Sequence, residues 1–128
     1  MIYSSAFGRV NLGELEPTFS QSVISMAHEK YSKLSDFYKK AGLSKQVASK
    51  MSNEENYLPT KKNAFACVVA LELNPDAAET LLRKGSYTFS DSNLMDVIVK
   101  FFLLNGQFDI DSINEVLSEY EQPLLGSA

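Results

Sequence analysis

The sequence of 128 residues predicts an all-α fold, a compact bundle of about six to seven helices containing a helix-turn-helix. Three observations carry this. Apolar residues recur at three- and four-residue steps through most of the chain, the period of one helix face. Ser, Thr, Asn or Asp precedes those stretches, and Gly or Asn-Gly follows several of them, as helix starts and stops require. No two strand-like runs flank a hairpin turn. At 45% apolar and 22% charged, the chain has the composition of a globular domain, and one this long needs no metal or disulfide staple. The single Cys excludes an internal disulfide framework. The longest apolar run, Ala64 to Leu71, is far shorter than the roughly 20 residues of a membrane span, and no secretory signal pattern follows Met1. A cytoplasmic protein without a membrane segment is expected.

Residues 1–17 lack a sustained period and contain Gly8, Gly13 and Pro17, so they read as an extension; residues 18–126 read as one helical domain. The first helix carries Phe19, Val23, Met26, Ala27, Tyr31 and Leu34 on one face, with its cap near Ser20. Ser35 is expected to cap a short second helix that stops at Ala41-Gly42, since Gly takes the left-handed position after a helix cheaply. Ser44 caps a third through Met51, and Asn53 to Pro59 is a loop. Thr60 caps a fourth whose near-continuous apolarity, Ala64 to Leu73, requires protein on all sides. Asn74-Pro75-Asp76 opens a fifth helix that ends at Gly85, because Pro in the first turn loses no needed donor. Ser90 or Asp91 opens a sixth that closes at Asn105-Gly106. Asp109 or Asp111 opens the seventh, which turns Ile110, Ile113, Val116, Leu117 and Tyr120 inward and ends before Pro123. The last two form a C-terminal pair at about 90–121.

The net charge of −4 conceals a strong polarity. Residues 1–29 sum to −2, residues 30–62 to +5 and residues 63–128 to −7. The basic quarter coincides with the second and third helices. A helix closed by Gly42, a turn of about three residues and a helix capped by Ser44 have the spacing of a helix-turn-helix at about 35–51, whose second helix can enter a major groove. With Phe37, Ala41, Leu43, Ala48 and Met51 inward, Lys45, Gln46, Ser49 and Lys50 are left outside. That set combines cations for phosphate, an amide able to pair with an adenine edge and a small hydroxyl.

Over residues 19–85 the chain resembles the phage-repressor type of helix-turn-helix family. The resemblance rests on Tyr38 to Ser44, Ser49-Lys50-Met51, Leu58-Pro59-Thr60 and Ala70 to Asn74. It implies a five-helix DNA-binding fold, usually dimeric, with Lys45, Gln46, Ser49 and Lys50 toward DNA. Two features depart from the pattern. Tyr38 stands where the family has a small residue and Ala48 where it has a larger aliphatic one, and Glu54-Glu55 follows the reading helix. The remainder, through Phe89, Phe108-Asp109-Ile110, Asn114-Glu115 and Gln122 to Gly126, is similar to helical tails of bacterial conflict and mobile-element proteins, some fused behind macrodomains.

Other chemistry finds little support. His28 and Cys67 are the one conceivable nucleophile pair, but a Cys inside the most apolar helix behaves as a small hydrophobe. Asp109, Asp111 and Glu115 have the look of calcium ligands, yet the sixth and twelfth loop positions hold Asn114 and Tyr120 instead of Gly and Glu. Helix capping accounts for them. No phosphate-cradling glycine loop, nucleophile elbow or Cys-x-x-Cys pair is present. The sequence thus predicts no catalytic residue, no metal, no cofactor and no small-molecule substrate.

The expected function is that of a small DNA-binding regulator of transcription acting on double-stranded DNA. Lys39, Lys40, Lys61 and Lys62, with Lys30 and Lys33, would meet phosphates, while Ser44, Lys45, Gln46, Ser49 and Lys50 would lie at the bases. The alternative is a non-enzymatic interaction module on the same scaffold, an adaptor or inhibitor in phage and host conflict. The sixth helix is apolar almost all round, so either its neighbours cover it or Val97, Phe101 and Leu104 meet a partner, a homodimer included.

Overall fold

The computed structural model describes residues 6–9, 13 and 15–126, so much of the extension expected over 1–17 lies outside the described residues. The described residues form seven helices and no strand: α1 (Phe19–Lys30), α2 (Leu34–Ala41), α3 (Lys45–Asn53), α4 (Lys61–Ala70), α5 (Pro75–Arg83), α6 (Leu94–Leu104) and α7 (Ile110–Glu119). The fold is all-α.

Local hydrogen bonding sets most helix starts. Thr18 begins α1 through a capping box: its Oγ1 accepts from the Gln21 N–H at 3.2 Å, and Gln21 Oε1 accepts from the Thr18 N–H at 2.9 Å. The cap is therefore Thr18, and Ser20 is buried inside the helix, where its hydroxyl donates to the Tyr57 carbonyl. Ser44 accepts from the Val47 N–H, Asn74 from Ala77, Asn93 from Asp96 and Asp109 from Ser112. Two starts fall elsewhere than expected. α2 begins after Lys33, with no side-chain cap, instead of at Ser35. α6 begins after Asn93, because Ser90 is held by Asp96, which accepts its N–H at 2.9 Å.

α4 is the axis of the bundle. Every residue from Asn63 to Ala70 is buried, and α2, α5 and α7 pack on it. α1 covers α3 and also meets α2 and α5, while α6 lies against α5 and α7. The Phe65 and Phe89 rings meet at 4.9 Å between centroids, and Tyr31 bridges two elements by donating its hydroxyl to the Ala70 carbonyl at 2.7 Å. Tyr120, expected inward, is 58% exposed, since α7 ends at Glu119 and turns away there.

Leu125 and Gly126 lie back against the α2–α3 turn. Asn114 grips the Leu125 backbone at both ends, accepting its N–H at 2.7 Å and donating to its carbonyl at 3.2 Å, and Leu125 is buried. Gly126 follows at φ +85°, where a Cβ would sit 2.8 Å from the Gly42 carbonyl oxygen. Only a glycine lets the tail lie this close.

Candidate nucleic-acid interface

α2 and α3 are joined by three residues, and the join is made by backbone chemistry. Gly42 adopts φ +69°; its N–H donates to the Lys39 carbonyl at 3.1 Å, and the Leu43 N–H donates to Tyr38 at 3.0 Å. This pair of bonds satisfies the last carbonyls of α2 and stops the helix. Ser44 then caps α3, so its hydroxyl is engaged with the Val47 N–H and the residue is half-buried.

From there α3 divides into two faces. Met51 is buried, and Val47 and Ala48 are half-buried, while Lys45, Gln46, Ser49 and Lys50 are exposed. The helix runs two residues beyond the expected Met51, which puts Asn53 on the exposed stripe, donating to Ser49 Oγ at 3.3 Å. No Gly or Pro stands between Met51 and Asn53, a signal that pointed to the longer helix. The Lys50 ammonium lies 5.8 Å from the centre of the Tyr57 ring. Among the described residues, neither Lys45 nor Lys50 pairs with a carboxylate.

The departures at Tyr38 and Glu54-Glu55 have definite places. Tyr38 shares a hydrogen bond of 2.6 Å with Ser52 Oγ, tying α2 to the end of α3, and its ring packs on Phe37 at 5.5 Å between centroids. Burial raises its phenol above the ordinary range, keeping it neutral. Glu54 and Glu55 border a groove against α1, together with Ser25 and His28. They therefore sit at the C-terminal end of α3, about 13 Å along the helix from Lys45.

The remaining lysines are dispersed. Lys61 is half-buried with its ammonium 2.7 Å from Oδ1 and 2.9 Å from Oδ2 of Asp96, a fully buried carboxylate. Lys30 pairs with Glu72 at 3.1 Å. Lys39 and Lys40 line an open cleft of about 390 Å³ with Asp36, Asp109 and Asp111, and Lys40 helps hold Asp109 below the usual carboxylate range, after the two hydrogen bonds from Ser112. Lys62 is exposed at a hollow shared with Gly42, Asp111 and the Leu125–Gly126 tail. The structure thus gathers Lys45, Gln46, Ser49 and Lys50 on one stripe and places Lys39, Lys40 and Lys62 beside the acidic start of α7. Nothing local in the sequence signalled that proximity across some seventy residues.

Val97, Phe101 and Leu104 are exposed on α6. Cys67 is buried and its thiol is pushed up to about 12, whereas His28 is exposed on α1. No group of three or more His, Cys, Asp or Glu able to hold a metal occurs among the described residues, and none of their helices is long and apolar enough to cross a membrane. Compared with known proteins, the chain matches no family model, no curated protein and no solved structure.

Proposed function

We propose that the chain is a small, non-enzymatic, cytoplasmic DNA-binding protein of helix-turn-helix type, a regulator of transcription that reads double-stranded DNA with α3. One observation carries the reading. Directly after a glycine turn and a serine cap, α3 presents two lysines without a carboxylate partner among the described residues, an amide and a hydroxyl on its exposed stripe. Lys45 and Lys50 supply phosphate-seeking charge, and Gln46 and Ser49 supply the groups that discriminate base edges. Lys61 has a structural duty to Asp96 and Lys30 pairs with Glu72, which leaves Lys33, Lys39, Lys40 and Lys62 as the flanking cations.

Fluorescence anisotropy of a mixed-sequence duplex, titrated at about 50 and 200 mM salt, tests this. Wild-type binding is expected to weaken steeply as salt rises, since each phosphate contact releases condensed counterions. Lys45→Glu with Lys50→Glu should abolish it and leave the helical circular dichroism unchanged. Equal binding by the double variant would refute the assignment of α3.

A second reading has its own support. Asp109 and Asp111 partly offset Lys39 and Lys40, and the molecule carries an exposed apolar stripe on α6. Both suit an interaction module that grips a protein, an adaptor or inhibitor in phage and host conflict. Fold alone does not choose between them. Recovery of one stoichiometric protein partner with no retained nucleic acid would favour the module.

A further inference from the structure

α6 carries an exposed apolar stripe whose spacing is the same from either end. Leu94, Val97, Phe101 and Leu104 are 44, 41, 57 and 71% exposed, while Met95, Ile98, Val99, Phe102 and Leu103 on the remaining faces are buried. The four exposed positions are separated by three, four and three residues, the spacing of a coiled-coil seam. Such spacing is symmetric about its midpoint, which lies level with Val99. Against a copy of itself running the opposite way, Leu94 meets Leu104 and Val97 meets Phe101. Small thus faces large in the middle and Leu faces Leu at both ends, as close packing requires. Parallel pairing would instead set Phe101 on Phe101 and Val97 on Val97, crowding one layer and hollowing the other.

The polar groups around the stripe agree with this. Lys100, the one charged residue between Val97 and Leu104, is turned toward Asp91 at 3.8 Å. Asn93 and Asn105 close the two ends, the first capping α6 and the second donating to the Phe101 carbonyl. Lys100 therefore lies at the edge of the stripe, partly exposed and with a carboxylate beside it.

We propose that α6 is the face through which two copies of this chain pair, antiparallel, about a two-fold axis at Val99. The contact is isologous, since the same patch serves both partners. Its seam is eleven residues long, about 16 Å, shorter than the roughly 800 Å² per partner of a standard interface demands. The pair is therefore expected to dissociate on dilution. The inference rests on α6 alone and stands apart from the DNA reading.

Sedimentation across a wide range of protein concentration tests it with the full chain. The mass should rise from 14.2 kDa toward twice that value. Phe101→Glu with Leu104→Glu, both at exposed positions, should keep the circular dichroism and hold the mass at one copy throughout. Orientation is read by mixing two single variants, Val97→Cys and Phe101→Cys, under a mild oxidant; Cys67 is buried and takes no part. A disulfide between the two different chains is expected, with little linkage of either variant to itself. One-copy mass at every concentration would overturn the pairing. A dimer that survives the double Glu variant would overturn the face, and self-linkage of Val97→Cys without the mixed product would overturn the antiparallel register.

Discussion

Cys67 shows how a single side chain is governed by its place in the core. Its thiol lies inside α4, fully buried, and burial alone raises its pKa from 9.0 to about 12. The folded protein holds that proton above the range in which the unfolded chain releases it. Stability from this group is therefore complete below about pH 9 and is lost as pH rises through 12. Melting temperatures of wild type and Cys67→Ala, compared between about pH 8 and 11, should show the steeper decline in wild type, and an aromatic disulfide reagent at pH 8 should react only on unfolding. Equal slopes would mean that solvent reaches the thiol. Tyr38 belongs to the same scale: a large ring at a position expected to be small is accommodated because its hydroxyl finds Ser52, an outcome that volume alone did not indicate.

Among elements, the Lys61–Asp96 pair is the decisive link, joining the first turn of α4 to the first turn of α6. Asp96 is fully buried, so Lys61→Ala leaves a carboxylate without its counter-ion. A loss of about 3 kcal/mol is expected. Replacing both, Lys61→Met with Asp96→Leu, should recover most of that loss, since an apolar pair of similar volume removes the uncompensated charge. Urea denaturation of the two variants decides it; a double variant as unstable as the single one would show that the polar contacts of Asp96, the Ser90 N–H among them, carry the stability. Element boundaries follow the same logic. α3, α5 and α7 begin where Ser44, Asn74 and Asp109 stand because those caps act over three residues. α6 begins later than its sequence indicated because Asp96 captures Ser90.

At the scale of the whole molecule the charge polarity is folded back on itself. The +5 segment and the −7 segment meet at the cleft where Asp109 and Asp111 face Lys39 and Lys40. If the molecule reads DNA through α3, these carboxylates oppose the approach of phosphate beside it. Asp109→Asn with Asp111→Asn keeps the α7 cap, as Asn caps as well as Asp. Affinity for duplex at about 50 mM salt should then increase a few-fold and the gain should shrink at 200 mM, because exposed charges are screened. Unchanged anisotropy titrations would place the cleft away from the DNA path.

By itself the sequence determined the helices, their caps at Ser44, Asn74 and Asp109, the stop at Gly42, the burial of α4 and the polar stripe of α3. These depend on residues three or four apart, where one hydrogen bond or one helix face settles the outcome. Tertiary structure alone decided which cations find carboxylate partners. Lys61 meets Asp96 thirty-five residues away, Lys30 meets Glu72 at forty-two, and the Leu125–Gly126 tail closes on Gly42. It also decided that α6 is neither wholly inside nor wholly outside. An amphipathic pattern can be read from spacing, but a helix apolar on every side shows which face is left bare only after its neighbours have packed.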